Sequence, residues 1–397
     1  MSKTIWIINE YAGTPNYGME YRHYYIGKEL VNVGYKVNIV SSNYSHLFSQ
    51  LPKKSNEKID GINYLWLKTL NYGNSHNKWR ALKWIIFSLK VFTLPFKLSS
   101  PDVILVSPMA PFPIIPAWFL SKIYGAKLIY EVKDIWPMTL VELGGFSRNN
   151  SLIKLMGLVE KIAIKKSDVI VSNLSNYGEH IKKDLEIDRG FEWISNGVDL
   201  NELKEAEALS EDIEIKIPKG NFIVGYLGTV GVANALEYFC QSAEYLADKK
   251  DISFVIVGNG QEKSDLMSKF DHLDNLIFID AIPKKQVQSM LTLFDVCYLG
   301  WRNESLYKYG TSANKIFDYM YSKRPILNSF NGGGDLVKIS NSGICVESEN
   351  LESIISGVLE FYKMPKEEVL RMGGNGRRYV VENFTYQKLS QKLEKLF

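Results

Sequence analysis

Short apolar runs rich in β-branched residues alternate along the chain with segments of helical length. In the first half the runs are TIWIIN (4–9), KVNIVSS (36–42), DVILVS (102–107), AKLIYEV (126–132) and DVIVSN (168–173). In the second they are FIVGYLG (222–228), ISFVIVGNG (252–260), LIFIDAI (276–282), DVCYLGW (295–301) and RPILNS (324–329). Strand-length runs separated by helix-length segments predict an α/β protein with parallel sheets and crossover helices. The pattern pauses at FEWISNGVDLNEL, and the polar stretch from Glu202 to Gly220 separates the two sets of strands. This spacing predicts two Rossmann-like domains, 1–195 and 196–375, with 376–397 as a closing helix that can cross back to the first. Ligands of such sheets gather beyond the carboxyl ends of the strands, in the cleft between facing domains, so motifs that directly follow strands are the candidates for chemistry.

Composition narrows the class. The chain has 397 residues, 46% hydrophobic and 23% charged, a globular balance that leaves no room for long disorder. Its start, MSKTIWIINEYAG, carries one Lys and a strand-length apolar run broken by Asn9 and Glu10, unlike a secretory signal, so a cytoplasmic protein is expected. Cys240, Cys297 and Cys345 are far apart and lack metal-ligand spacing, which disfavours disulfides and structural zinc. Charge is uneven: residues 1–190 hold 24 Lys and Arg against 15 Asp and Glu, the remainder 23 against 29. A basic half suits nucleic acid, anionic lipid or a phosphorylated substrate, and charge alone does not choose among them.

Three turns in the second half have the residues to meet an anion or hydroxyl groups. GYLGTVGVANALEYF follows a strand and leads to a helix, so Gly228, Thr229, Gly231 and Asn234 can bring backbone N–H groups to an anion, or simply make a tight turn. VGNGQEKSDL repeats the arrangement at Gly258 and Gly260. YKYGTSANKIFDYM places Gly310, Thr311, Ser312, Asn314, Lys315 and Asp318 ahead of an apolar helical pattern, with Thr311 or Ser312 suited to cap the helix.

These stretches, with EVKDIWPMTLVELGGF, ISNGVD and NGRRYVVENFT, make the chain resemble the group 1 (family 4) retaining glycosyltransferases of the GT-B fold. The likeness is close to bacterial enzymes of O-antigen, capsule and lipopolysaccharide synthesis, including L-fucosamine transferases. The resemblance implies a UDP-linked donor of an N-acetylated or deoxy amino sugar, a polyprenyl-diphosphate-linked saccharide acceptor, retention of configuration, and neither cofactor nor metal ion. It assigns Asp318 to the ribose hydroxyls, which a carboxylate can accept as a charge-assisted pair. Lys315, three residues earlier on the same side of a helix, would offset charge on the departing diphosphate. The sequence departs from the broader family where Gly310 replaces the first of two glutamates and where TVGVANALE lacks the usual Arg and Lys; Asn234 and Lys315 are the substitutes.

In the first half, YEVKDIWP sets Lys133 and Asp134 beyond a strand, with Asp134 placed to orient or deprotonate an acceptor hydroxyl or to cap the next turn. Gly18, Glu20 and Arg22, in a glycine-containing loop and the helix after it, and His46 after the second strand complete the expected acceptor side. His23 suits packing. NKWRALKWIIFSLKVFTLPFKL (77–98) mixes cations with aromatic and aliphatic residues, which predicts peripheral attachment to the anionic inner face of the cytoplasmic membrane through Trp79, Arg80, Lys83, Trp84 and Phe87. Two other readings stay open: a sugar-nucleotide 2-epimerase of the same fold, and a non-enzymatic basic module binding membrane or nucleic acid. Nucleic acid is not expected, because the cations are dispersed and no recognition motif appears.

Overall fold

The computed structural model describes residues 2–18, 20–73 and 79–397. The chain forms two compact units, 1–196 with 386–397, and 197–385. The first is built on an eight-stranded sheet of order β3-β4-β2-β1-β5-β6-β7-β8. Its strands are β1 (Thr4–Ile8), β2 (Lys36–Ser42), β3 (Asn56–Ile59), β4 (Ile62–Leu67), β5 (Val103–Val106), β6 (Lys127–Val132), β7 (Val169–Ser172) and β8 (Glu192–Trp193). The second carries a six-stranded sheet of order β11-β10-β9-β12-β13-β14. Its strands are β9 (Phe222–Leu227), β10 (Ile252–Val257), β11 (Leu276–Ile279), β12 (Val296–Gly300), β13 (Ile326–Ser329) and β14 (Gly343–Val346).

All ten apolar runs are strands. Their neighbours pair in parallel, as in β1 on β2 from Thr4–Lys36 and β9 on β10 from Phe222–Ile252. Strands covered by helices on both faces need continuous apolar sequence, and TIWII and ISFVIV, buried along their whole length, supply it. The pattern missed β3, β4, β8 and β14. Strands β3 and β4 form the single antiparallel pair described in the first sheet, turned at Asp60–Gly61 with φ of 45° and 82°. None of the four β3 residues is buried, and three of them are polar, which marks an edge.

Helices α1 (Arg22–Asn32) and α3 (Ile114–Tyr124) pack on the first sheet, and α2 (Trp79–Val91) packs on α3. Phase decides what α2 buries. Lys83, Trp84, Phe87 and Val91 are buried, whereas Trp79, Leu82, Ile85 and Leu89 face solvent. The expected membrane contact through Lys83, Trp84 and Phe87 is thereby corrected: these three side chains belong to the interior. Asn77 and Lys78, which open that stretch, lie outside the described residues.

The return to the first unit begins later than the sequence suggested. The helix Lys366–Asn383 stays in the second unit, where the Arg377 guanidinium carbon lies 4.1 Å from the Tyr321 ring centroid. Residues from Tyr386 onward belong to the first. There Tyr386 stacks on Tyr25 of α1, with ring centroids 4.7 Å apart and planes at 16°.

Candidate functional site

The second unit gathers its candidates around the helix Lys315–Tyr321. A 3₁₀ turn, Ser305–Tyr309, precedes it, then Gly310 at φ 102° and an irregular segment through Thr311 and Ser312. The helix starts at Lys315 with Asn314 in the N-cap position, where its side chain makes no cap bond, so Thr311 and Ser312 lie ahead of the position expected of them. Thr311 instead lines a small cavity with Trp301, Phe317 and Asp335.

Lys315 runs beneath the loop after β9. Its Nζ donates to the Tyr226 hydroxyl at 2.7 Å and to Asn234 Oδ1, and lies 4.6 Å from the Tyr226 ring centroid. Tyr226 and Asn234 Nδ2 in turn donate to the Thr229 carbonyl, at 2.6 and 2.9 Å. Desolvation lowers Lys315 to about 7, because no carboxylate stands beside it to favour the charge. The loop is pinned from the other side as well. Gly228 and Val230 donate their N–H groups to Val257 and Asn259, while among the described residues the Thr229 and Gly231 N–H groups have no backbone acceptor. The loop then enters a 3₁₀ turn, Val232–Asn234, before the helix Leu236–Tyr245, rather than opening that helix directly.

Gly258 brings the second glycine turn against the first. A Cβ there would lie 1.8 Å from the Gly228 carbonyl oxygen, so the second glycine turn exists to let the two loops touch. Asp318 projects from the same helix as Lys315 and meets Lys284, whose Nζ is 2.8 Å from both carboxylate oxygens. Tyr319 bonds both the N–H and the carbonyl of Leu227, at 2.8 and 2.9 Å, fixing the helix against the end of β9. Tyr226, Lys284 and Tyr319 were not among the sequence candidates. Tyr226 sits within a strand run and Lys284 within an ordinary PKKQ turn, so neither announces itself.

In the first unit the candidates divide into a largely covered pair and a buried hub. Lys133 donates to Glu20, which adopts φ 72°. Asp134 follows at the surface, with crowding by surrounding protein raising its carboxyl above the ordinary value against the pull of Lys133. No hydrogen bond ties that carboxylate to the next turn among the described residues, so it is not a cap. Arg22 is buried and committed elsewhere. It bonds Glu131 at 2.8 and 3.1 Å, the Ile194 carbonyl at 2.7 Å, and the Ser195 carbonyl. His23 bonds Glu131 at 2.7 Å and Asn9 at 3.1 Å; burial holds it below the ordinary histidine value despite Glu131. Gly18, expected on the acceptor side, bridges Phe48 in a position where a Cβ would lie 2.5 Å from the Leu47 carbonyl oxygen. His46 bonds the Tyr72 hydroxyl at 2.8 Å. Arg80 donates to the Tyr11 hydroxyl at 3.1 Å and contacts Met109 Sδ at 2.8 Å, which leaves Trp79 as the outward member of the five expected membrane residues.

Residues 221–364 match the family described as "Glycosyl transferases group 1". That span contains Gly228, Asn234, Lys284, Lys315 and Asp318. No curated protein sequence matches the chain. Among solved structures, sucrose-phosphate synthase from Thermosynechococcus elongatus is similar over 99% of this chain and 98% of its own, at 14% identity and a TM-score of 0.76. Anabaena Alr3699/HepE in complex with UDP and glucose is similar over 99% and 98%, at 12% identity and a TM-score of 0.67. An E. coli structure described as trehalose-6-phosphate bound with UDP-2-fluoro glucose is similar over 99% and 98%, at 10% identity and a TM-score of 0.72. Two parallel-sheet units of this kind, matched along the whole chain, give this protein the GT-B fold, and its second unit carries the match to group 1 glycosyl transferases.

Proposed function

We propose that the chain transfers a sugar from a nucleoside diphosphate donor to a saccharide acceptor. The observation that carries this reading is the coincidence of the group 1 glycosyl transferase match with the Lys315, Asn234 and Gly228 cluster. A cation held under a loop with unfilled N–H groups suits a diphosphate, whose charge grows as the sugar departs. Asp318 receives the ribose hydroxyls and Lys315 the leaving diphosphate. Asp134, its carboxyl raised above the ordinary value by the surrounding protein, orients the acceptor hydroxyl or takes its proton.

A UDP-linked donor is favoured by the relatives described with UDP or UDP-sugars. The finer reading rests on the motif resemblance: an N-acetylated or deoxy amino sugar, transferred with retention and without a metal, to a polyprenyl-diphosphate-linked saccharide for bacterial surface polysaccharide. A lipid-linked acceptor implies work at the cytoplasmic face of the membrane. Among the described residues no helix is long and apolar enough to cross one. Peripheral attachment now falls to the outward residues Leu82, Ile85 and Leu89 of α2 with Phe119 and Ile123 of α3, flanked by Lys122.

Thermal shift with UDP, GDP and ADP, followed by turnover of the UDP-sugars, tests the reading. A UDP-selective rise in melting temperature is expected. Absence of any nucleotide response overturns it.

A further inference from the structure

Away from the donor candidates, the first unit buries a histidine between two carboxylates. His180 is 3% exposed; its Nδ1 lies 2.7 Å from an Asp184 carboxylate oxygen and its Nε2 3.1 Å from one of Glu160. Glu160, on the helix Ser151–Lys166, is as deeply buried, whereas the Asp184 side chain is 29% exposed. A neutral imidazole carries one N–H and can donate to one carboxylate only. Bonding both therefore takes one proton more than a neutral histidine and two carboxylates hold.

Burial and charge agree in keeping that proton. Burial works against a charged His180, yet the bonds and charges of Glu160 and Asp184 outweigh it and hold the ring above the ordinary histidine value of 6.5. Burial likewise raises the Glu160 carboxyl, against the pull of His180. The surrounding groups offer no replacement. The Tyr177 ring centroid lies 5.6 Å from that of His180, and Tyr130 of β6 faces both Tyr177 and Glu160; burial raises both phenols, which stay protonated. Lys161 beside Glu160, Lys182, and the Lys183–Glu179 pair are exposed.

The cluster connects to the edge of the sheet. His180–Asp184 is a single π-helical turn, in which the Leu185 N–H donates to the His180 carbonyl at 3.1 Å. Such turns are rare and gather at functional positions. Just ahead of it, the Tyr177 ring centroid is 6.0 Å from that of Phe191, and a Cβ on Gly178 would lie 2.9 Å from the same phenylalanine ring. Phe191 leads into the edge strand β8, which pairs with β7 through Val171–Glu192 and Ser172–Trp193. The Ile194 and Ser195 carbonyls held by Arg22 follow directly.

We propose that His180 is a pH-sensitive latch: its imidazolium ties Glu160 to Asp184 and so holds the π turn on the helix Ser151–Lys166, and loss of the proton frees the turn together with β8. A neutral ring can serve one carboxylate, and a buried Glu160 left without its cation disfavours the closed turn. The closed turn binds more protons than the open one. The latch therefore holds fully below 6.5 and weakens as pH rises through the folded value of His180. It does not depend on the sugar-transfer reading.

Histidine-selective ¹⁵N NMR and hydrogen exchange of the unsubstituted protein test the latch together. His180 is expected to have both ring nitrogens protonated at about pH 6 and to lose one proton at a midpoint above that of a free histidine peptide. Between 6.5 and that midpoint, protection of residues 177–193, corrected for intrinsic exchange, should fall about tenfold per pH unit. Lys315 titrates in the opposite sense in the second unit, so global melting cannot replace this local readout. Glu160→Gln, checked for folding by near-UV circular dichroism, should lower the His180 midpoint and flatten the response. Asp184→Asn, at the more exposed partner, should do the same more weakly with the fold kept. A His180 ring neutral at about pH 6, corrected protection of 177–193 that is constant from about pH 6 to 9, or an unchanged midpoint in both folded variants overturns the latch.

Discussion

Lys284 sets its ammonium 2.8 Å from both carboxylate oxygens of Asp318. The lysine side chain is 45% exposed, so screening by water keeps the pair's contribution to folding at about 1 kcal/mol or less. A ribose diol that used Asp318 would have to share the carboxylate with Lys284 or displace it.

Asp318→Ala is therefore expected to leave the melting temperature nearly unchanged and to weaken UDP by about 1.5–3 kcal/mol, the worth of hydrogen bonds to a charged group. Isothermal titration measures it. An affinity equal to that of the wild type removes Asp318 from the donor site.

Lys315 predicts a proton linkage. Its folded value of about 7 lies below the ordinary lysine value of 10.5, so between these values the unfolded chain binds more protons and stability rises with pH through that window. A diphosphate beside the ammonium favours its charged form. Binding of UDP at pH 8 should then take up protons, seen as a binding heat that depends on the ionisation enthalpy of the buffer. Lys315→Met should abolish that dependence along with most of the affinity.

Gly258→Ala would drive a methyl group to 1.8 Å from the Gly228 carbonyl oxygen. Backbone cannot yield as a flexible side chain does, and overpacking of this kind costs about 1–3 kcal/mol. Because the atom displaced belongs to the loop over Lys315, the variant should lose UDP affinity as well as thermal stability. Lower stability with full affinity would mean that the loops move independently.

Glu131 is buried; although desolvation opposes it, Arg22 and His23 hold its carboxyl well below the ordinary value. Removing its charge strands the Arg22 guanidinium, and breaking a buried pair from one side costs about 3–5 kcal/mol. Chemical denaturation of Glu131→Gln should show a loss of that order. The stability Glu131 contributes is present above its unfolded value of 4.5 and fades as acid titrates the folded carboxylate.

The outward face of α2 gives a last expectation. Leu82→Ser combined with Leu89→Ser removes apolar surface without touching the buried Lys83, Trp84 or Phe87. Sedimentation with anionic vesicles should fall for the double variant, and equal sedimentation would exclude this face as the membrane contact.

Much of the fold was written in local sequence. Val, Ile and Leu runs such as DVILV need burial on both faces and become central strands, whereas NEKI alternates and is legible only beside its partner β4. The face of α2 was misread for a related reason. WRALKWIIFSLKV is apolar nearly all round, so periodicity could not say whether Lys83 pointed in or out, and only the packing of α2 in the folded unit decided it. In the candidate site, Lys315 and Asp318 stood out through the stretch that holds them. Their partners did not, since Tyr226 and Lys284 come to them from 89 and 34 residues away.

The stack of Tyr386 on Tyr25 joins chain segments separated by the whole of the second unit. During synthesis the ribosome therefore releases nearly all of the first unit, then the entire second, before the helix that completes the first emerges. The amino-terminal sheet must wait, with the seat for Tyr386 on α1 uncovered, until translation of the other unit is over. This order makes the interval before that helix docks the period when a chaperone is most useful to the nascent chain.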